Sequence, residues 1–343
     1  MPILALLLAA TLGFHVEKVS DGVYAAIRNN APGLGADGTS VFIINDDDVV
    51  VVDTTGSLAG AREEIAALRK LTSKPVRYVI NTHSHFDHVT GNQIYREAFP
   101  GLEIISSTAT RDDLAANGEP RRKEMAAGLP QFISDLRGLL EKKQNLAGEP
   151  INDAERAGFS SDLAQAEGFL AEAPEVHVPL PSLVFDQTMT LHRGKRTIEI
   201  RQLSGHTRGD AIVYLPEERI AITGDLVCYP VPLMGSDQSY ISDWSASLEK
   251  LRALQPRVII PGHGSLQYDD QYVTTLIGLT KSLVDQAKAA VARGEKLEDA
   301  RKSVNLDDFR KAIAGDDRML GFIFRVYVRN AGFAAAYREA SGH

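Results

Sequence analysis

The chain states one structural phrase twice, and that repetition narrows its fold more than any single motif does. In the first half, Ser40-Val41-Phe42-Ile43-Ile44 runs into the turn Asn45-Asp46-Asp47-Asp48, and Val49-Val50-Val51-Val52 then ends on Asp53. These β-branched runs around a polar turn predict a hairpin. Residues 59–71 carry helical spacing, and Val76-Arg77-Tyr78-Val79-Ile80 predicts a buried strand leading to His83. In the second half, Ala211-Ile212-Val213-Tyr214-Leu215 meets the turn Pro216-Glu217-Glu218, and the next run, from Arg219, ends on Asp225. Residues 244–254 predict the helix, and Val258-Ile259-Ile260 leads into Pro261-Gly262-His263. Each half reads hairpin, Asp, helix, strand, His. Two sheets covered by helices on one face can bury their remaining faces only against each other, which predicts an α/β fold of four layers, an αβ/βα sandwich. The strand ends carrying Asp53, His83, Asp225 and His263 then meet along one edge, where α/β sheets keep their sites.

The run Asn81-Thr82-His83-Ser84-His85-Phe86-Asp87-His88 places three imidazoles and a carboxylate within six positions. Neutral imidazoles and carboxylates are the usual protein ligands of zinc together with thiolates. Alternation puts His83 and His85 on one side of the loop and turns Asp87 and His88 to another, so one short segment can serve two metal ions. A solvated loop, or a helix start with Asp near its cap, is the competing reading. The β-branched and aromatic strand that delivers the loop speaks against it. A further imidazole, His206, sits between Gly205 and Gly209 in Leu203-Ser204-Gly205-His206-Thr207-Arg208-Gly209-Asp210, where glycine permits a tight turn.

His83-x-His85-x-Asp87-His88, Gly205-His206-Thr207, Thr223-Gly224-Asp225 and Pro261-Gly262-His263 together resemble the metallo-β-lactamase superfamily of hydrolases, over roughly residues 14–266. The resemblance implies the four-layer metallo-β-lactamase sandwich, here with a helical insertion and C-terminal helices. It implies that His83, His85 and His206 hold one metal ion, that Asp87, His88 and His263 hold the second, and that Asp225 bridges them. The cofactor expected is zinc, two ions per chain, with iron or manganese as alternatives. A bridging Asp is typical of the glyoxalase II, lactonase, arylsulfatase-like and nuclease branches, whereas true zinc β-lactamases commonly carry Cys or Ser there. The Asp-His-Val-Thr-Gly-Asn stretch and the Gly-His-Thr-x-Gly loop are nevertheless similar to β-lactamases of the third subclass.

The activity expected is hydrolysis of an ester, thioester, lactone or amide carbonyl, β-lactams included, by a water that two divalent cations activate. Asp87 and Asp225 are the expected catalytic carboxylates, Asp87 orienting the water and accepting its proton. A mononuclear-iron sulfur oxygenase of the same fold, or a metal-bound binding protein without turnover, are the other readings. For Asp53, a loop cap competes with a hydrogen bond to a ligand imidazole. Asp210 is expected to cap the strand turn that follows it, and Asp46, Asp47 and Asp48 to form a solvated turn. Cys228, the single cysteine, is offset from the ligand position of true lactamases and reads as a small buried hydrophobe. The apolar loop 226–235 is expected either to wall the substrate site or to pack under the C-terminal helices. The Gly-rich segment 30–38 is a turn that can act as a mobile flap.

The expected organisation is a signal or edge segment at 1–13, a catalytic domain at 14–268 with a helical insertion at about 111–175, and a helical extension at 269–343. Within the insertion, Met125, Leu129, Phe132, Ile133, Leu136 and Leu140 fall on one helical face, and a second helix at 153–173 forms a hairpin with it. That hairpin is read as a lid or as a homodimer surface. The partner expected is a small-molecule substrate. A net charge of -8 and the lack of a basic stripe exclude the nuclease branch and a nucleic-acid partner. No later segment is long and apolar enough to span a membrane. The apolar segment from Ile3 to Leu12 resembles a secretory signal without its cationic leader, giving a periplasmic or secreted protein if it is a signal and a cytoplasmic one otherwise.

Overall fold

The computed structural model describes residues 13–35, 37–235 and 237–342, so the apolar N-terminal segment read as a signal lies outside the described residues. The first half of the chain contains β1 (Phe14–Ser20), β2 (Val23–Arg28), β3 (Ser40–Ile44), β4 (Val49–Val52), α1 (Leu58–Leu71), β5 (Val76–Ile80), α2 (Phe86–Val89), α3 (Asn92–Ala98) and β6 (Glu103–Ser107). The insertion follows as α4 (Thr108–Asp113), a π turn at Leu114–Gly118, α5 (Glu119–Lys142) and α6 (Asp153–Glu172). Then come β7 (Leu183–Phe185), β8 (Thr188–Arg193), β9 (Arg196–Gln202), β10 (Ala211–Leu215), β11 (Ile220–Ile222), α7 (Ile241–Ala253) and β12 (Val258–Ile260). The chain continues through α8 (Gln271–Ala292), α9 (Leu297–Ser303), α10 (Asp307–Ala314), α11 (Arg318–Ile323), a π segment at Phe324–Gly332 and α12 (Phe333–Ala340).

Among the described residues the strands form a seven-stranded sheet in the order β1 to β7 and a five-stranded sheet in the order β12-β11-β10-β9-β8. The repeated phrase is visible in the pairing. β3 and β4 are antiparallel and β5 returns parallel to β4, as β10 and β11 are antiparallel and β12 returns parallel to β11. The helix of each unit makes the crossover that a parallel return requires.

Three apolar cores separate four layers. Val50 and Val52 of β4 pack with Val41, Ile43, Ile80, Ile200, Val213 and Ile260 between the two sheets. Their neighbours Val49 and Val51 point the other way, under Leu58, Ile65 and Leu68 of α1. A strand buried on both faces explains the unbroken valine run. On the outer face of the second sheet, Ile212, Tyr214, Ala221 and Ile259 meet Trp244, Leu248 and Leu251 of α7, and behind them Leu276 and Leu283 of α8 and Phe333 of α12. The C-terminal helices therefore extend a helical layer rather than shielding a sheet edge. Leu136 of α5 and Phe159 of α6 join this same core and tie the insertion to the second half.

Two local expectations are corrected. The second-half helix starts at Ile241, three residues earlier than its apolar spacing suggests, because Glu339 of α12 accepts from the backbone N–H groups of Ile241 and Ser242 and completes the first turn. Asp48 is buried rather than solvated, because Arg193 and the Asn45 side chain turn inward to meet it, whereas Asp46 and Asp47 are exposed.

Candidate metal centre

The residues singled out in the sequence arrive from both halves on loops that leave the same sheet edge. β5 delivers His83 and His85, and Asp87 and His88 lie in α2 one turn later. The β9–β10 loop brings His206, the end of β11 brings Asp225, and the end of β12 brings His263. Two glycines allow this convergence. Gly224 has φ +49, and a Cβ there would lie 2.4 Å from Thr82 Oγ1; a Cβ on Gly262 would lie 2.1 Å from Asp225 Oδ1.

Their ligand atoms fall into two groups, His83, His85, His206 and Asp225 in one, Asp87, His88, Asp225 and His263 in the other, the atoms of each within 4.8 Å of one another. His85 Nδ1 is 2.8 Å from His206 Nε2, and His88 Nε2 is 3.3 Å from His263 Nε2. Asp225 faces both groups. Its Oδ1 lies 3.2 Å from the Nε2 atoms of His88 and His263, and its Oδ2 lies 3.5 Å from His206 Nε2. Asp87 Oδ2 is 3.2 Å from His88 Nε2 and 3.1 Å from His263 Nε2.

This donor set fits divalent cations. His83 Nε2 is buried without a hydrogen-bond partner, a costly arrangement unless a cation takes its lone pair. Burial also removes the protons that would compete: it holds His206 down at about 3 and drives His83 well below the ordinary imidazole value, helped there by His88 and His85. The second group is polarised instead. Burial opposes charge on His263, yet Asp225 and Asp87 outweigh it and raise the imidazole to about 10. Burial likewise opposes charge on His88, which Asp87, Asp225 and Asp53 raise well above its usual value. Against burial, His88 and His263 hold Asp87 and Asp225 well below the usual carboxylate range. Metal-free, this half of the centre is an ion-paired cluster whose imidazole protons a cation would displace.

The residues behind the ligands decide several open readings. Asp53 Oδ2 accepts from Thr82 Oγ1 at 2.7 Å and lies 2.9 Å from His88 Nδ1, while Oδ1 accepts from Thr82 N at 2.8 Å. It therefore orients an imidazole rather than only capping a loop. Asp210 does not cap the turn after it. It accepts from Thr207 N at 2.9 Å and from the Thr207 hydroxyl at 2.5 Å, closing the loop that carries His206, and burial pushes it up to about 8. Cys228 is buried and belongs to neither ligand group. His15, His177 and His192 also lie outside both groups. The sequence reading missed Gln238, whose Oε1 is 2.7 Å from His85 Nε2. It also missed Asn92, which exchanges hydrogen bonds of 3.1 and 2.8 Å with Asn81 under the motif. Gln238 lies 153 positions from its partner in a polar loop, and no local pattern marks it.

A cleft of about 790 Å³ opens onto His85, Asp87, His206 and Asp225. Met125, Leu129 and Phe132 of the insertion line it, together with Leu34, Met234 and Tyr327. Loop 226–235 serves both roles foreseen for it, since Met234 faces the cleft while Leu226, Val227 and Val231 pack into the core that holds the C-terminal helices. The Gly-rich segment is pinned. Asp162 of α6 accepts from Leu34 N and Gly35 N at 2.9 and 2.8 Å, and Asp37 accepts from Thr55 Oγ1 and Gly56 N, both at 2.7 Å.

The sequence profile of the Metallo-beta-lactamase superfamily matches residues 34–263, a span that contains every residue of both candidate groups. The chain belongs to the metallo-beta-lactamase superfamily. Among similar proteins of the superfamily, a linear primary-alkylsulfatase from Pseudomonas sp. is 23% identical over 247 residues, 69% of this chain and 43% of its own length. A hydroxyacylglutathione hydrolase from Gloeobacter violaceus is 39% identical over 74 residues, 21% of this chain and 27% of its own length. The matched region thus spans less than half the length of either relative. A metallo-beta-lactamase from Pontibacter korlensis superposes with a TM-score of 0.55 at 16% identity, covering 78% of this chain and 99% of that one. A stereoselective inverting sec-alkylsulfatase from Pseudomonas sp. superposes with a TM-score of 0.62 at 15% identity, covering 95% of this chain and 50% of that one. At these identities the superpositions establish the shared fold of the superfamily.

Proposed function

We propose that the protein is a dinuclear metal-dependent hydrolase with two zinc ions per chain, acting on an ester-type bond of a small molecule. The observation that carries this reading is the place of Asp225, shared by both groups of ligand atoms. His83, His85 and His206 would hold one ion, Asp87, His88 and His263 the other, with Asp225 between them. When bound, such a pair supplies an activated water near neutral pH and a Lewis acid for the bond under attack.

The remaining work belongs to the chain. Asp87 is the one ligand-group carboxylate with a quarter-exposed side chain, and it lines the cleft, so it can orient the attacking water and accept its proton at a carboxylate oxygen. Asp53 fixes the ring of His88 and Gln238 that of His85, so neither imidazole must reorient during turnover. The apolar side chains lining the cleft lower the local polarity and so strengthen the charge interactions beside them. Within ester-type bonds, sulfate esters stand beside carbonyl esters, because the longer curated match is to an alkylsulfatase.

The test is metal analysis coupled to a substrate panel. Wild-type protein should contain about two zinc equivalents per chain and hydrolyse at least one of an aryl ester, a lactone, a thioester, a β-lactam or an alkyl sulfate. Asp225→Ala should lose metal from both positions and lower kcat/KM by at least about 10³-fold. Wild-type protein that stays metal-free and inert with zinc supplied sinks the reading, and one iron with oxygen consumption moves it to oxygenase chemistry.

A further inference from the structure

Nothing in the ligand groups requires the insertion, yet α5 and α6 form one side of the cleft that opens onto them. The side chains presented there are Met125, Leu129 and Phe132 from α5 and Phe169 from α6, and Leu34 and Met234 also line the cleft. Charged groups also reach the cleft, and apart from Glu124 those outside the ligand groups are already engaged within the protein. Arg208 grips Asp113 at 2.6 Å, Arg121 faces Asp237 at 3.6 Å, Asp162 accepts from Leu34 N and Gly35 N, and Glu172 accepts from Leu58 N and Ala59 N. An anionic substituent on the substrate would have to break one of these pairs to find a cation, since Arg121 and Arg208 are both taken. An apolar one would lose only water.

The wall is also fixed in place. Asp162 ties α6 to the Gly-rich loop, the hydroxyl of Tyr327 donates to Leu34 O from the C-terminal π segment, and Leu136 and Phe159 anchor the hairpin in the core beneath. A volume of about 790 Å³ far exceeds what a scissile group alone fills. Methionine and leucine in that wall suit a flexible chain better than a rigid planar ring, since their side chains adapt to an irregular surface.

We infer that the insertion makes this centre select substrates carrying an aliphatic chain free of anionic groups on one side of the scissile bond, with Leu129, Phe132 and Phe169 as the residues that set the preference. This rests on the hydrolase reading above and adds the substrate class to it. The linear carboxylates from butanoate to dodecanoate separate the two claims, because they are not hydrolysed and report the wall by binding alone. With the zinc-loaded protein in a calorimeter, affinity should rise about fourfold per added methylene, the equivalent of about 0.8 kcal/mol, until the chain outgrows the cleft. Leu129→Asp should flatten that slope, and Phe169→Ala should shorten the length at which it levels off. The matching p-nitrophenyl esters then report turnover. A flat binding series in wild-type protein, or no carboxylate bound at any length, overturns the inference. Turnover of the short esters alongside that result leaves the hydrolase reading standing. A steep binding slope with no substrate of the whole panel turned over supports the wall and sinks the hydrolase reading.

Discussion

Asp53 shows how one carboxylate organises the centre without being one of its ligands. It receives the Thr82 N–H and hydroxyl and faces His88 Nδ1, which leaves His88 Nε2 turned toward Asp225 and His263. Asp53→Ala should lower zinc affinity about 10- to 100-fold, chiefly at the position served by His88, as read by titration against a competing chelator. Equal loss at both positions would point to a collapsed loop instead. The convergence of the candidate ligands was legible in sequence because His83, His85, Asp87 and His88 cluster locally and glycine flanks His206. Asp53 was only half legible, and Gln238 was silent, because a contact made by one side chain of an ordinary polar loop leaves no periodic trace. Glu64 is a second buried carboxylate, on α1, contacting Arg28 and within 3.3 Å of the Tyr95 hydroxyl. Burial pushes it up from about 4.5 to about 7 despite the attraction of Arg28. The folded protein therefore keeps a proton that the unfolded chain has released. Its contribution to stability is full below about pH 4.5 and is lost as pH rises through about 7. Glu64→Gln should flatten part of the fall in thermal midpoint across that window. Asp210 is raised in the same direction, so a remainder of the fall should persist.

At the scale of elements, the spacing in α5 predicts one apolar helical face, and the structure divides it by depth. Met125, Leu129 and Phe132 reach the cleft, while Ile133 and Leu136 are buried and Leu136 enters the core with Phe159. Spacing tells which residues share a side of a helix but not what that side meets along its length, so lid and dimer surface could not be separated from the sequence. α6 carries the clearest link between insertion and site. Its Asp162 is the acceptor for two backbone N–H groups of the Gly-rich loop, and Glu172 at its end serves the first turn of α1 in the same way. Asp162→Ala should cost about 1–3 kcal/mol by leaving those two donors unpaired, seen as a lower thermal midpoint. Hydrogen exchange should accelerate at Leu34 and Gly35 and not in β4 or β5. Uniform acceleration across the sheets would show general destabilisation rather than release of one loop.

The whole molecule is two similar units pressed face to face, and the candidate ligands are divided between them. His83, His85, Asp87 and His88 come from the first unit, and His206, Asp225 and His263 from the second. The repeated hairpin-helix-strand phrase disclosed this architecture because a two-sided valine strand and its crossover helix each have few ways to be buried. The order of the flanking strands β6 to β9 and the packing of the C-terminal helices were not legible, since those pairings join segments without shared local patterning. Cations bound as proposed would clamp the two halves of the sandwich together, and the strength of that clamp should be measurable as stability. The metal-free centre retains attraction of its own, with His88 and His263 raised and Asp87 and Asp225 lowered as mutually paired charges. The inter-sheet core is also complete without it. Chelation should therefore leave the protein folded at 25 °C while lowering its thermal midpoint. Restoring free zinc should then raise stability by RT ln(1 + [Zn]/Kd), about 2.7 kcal/mol at one hundred times Kd. The midpoint should climb with the logarithm of zinc in wild-type protein and stay nearly flat in Asp225→Ala. An equal climb in both would mean that the cations sit elsewhere than between the two units.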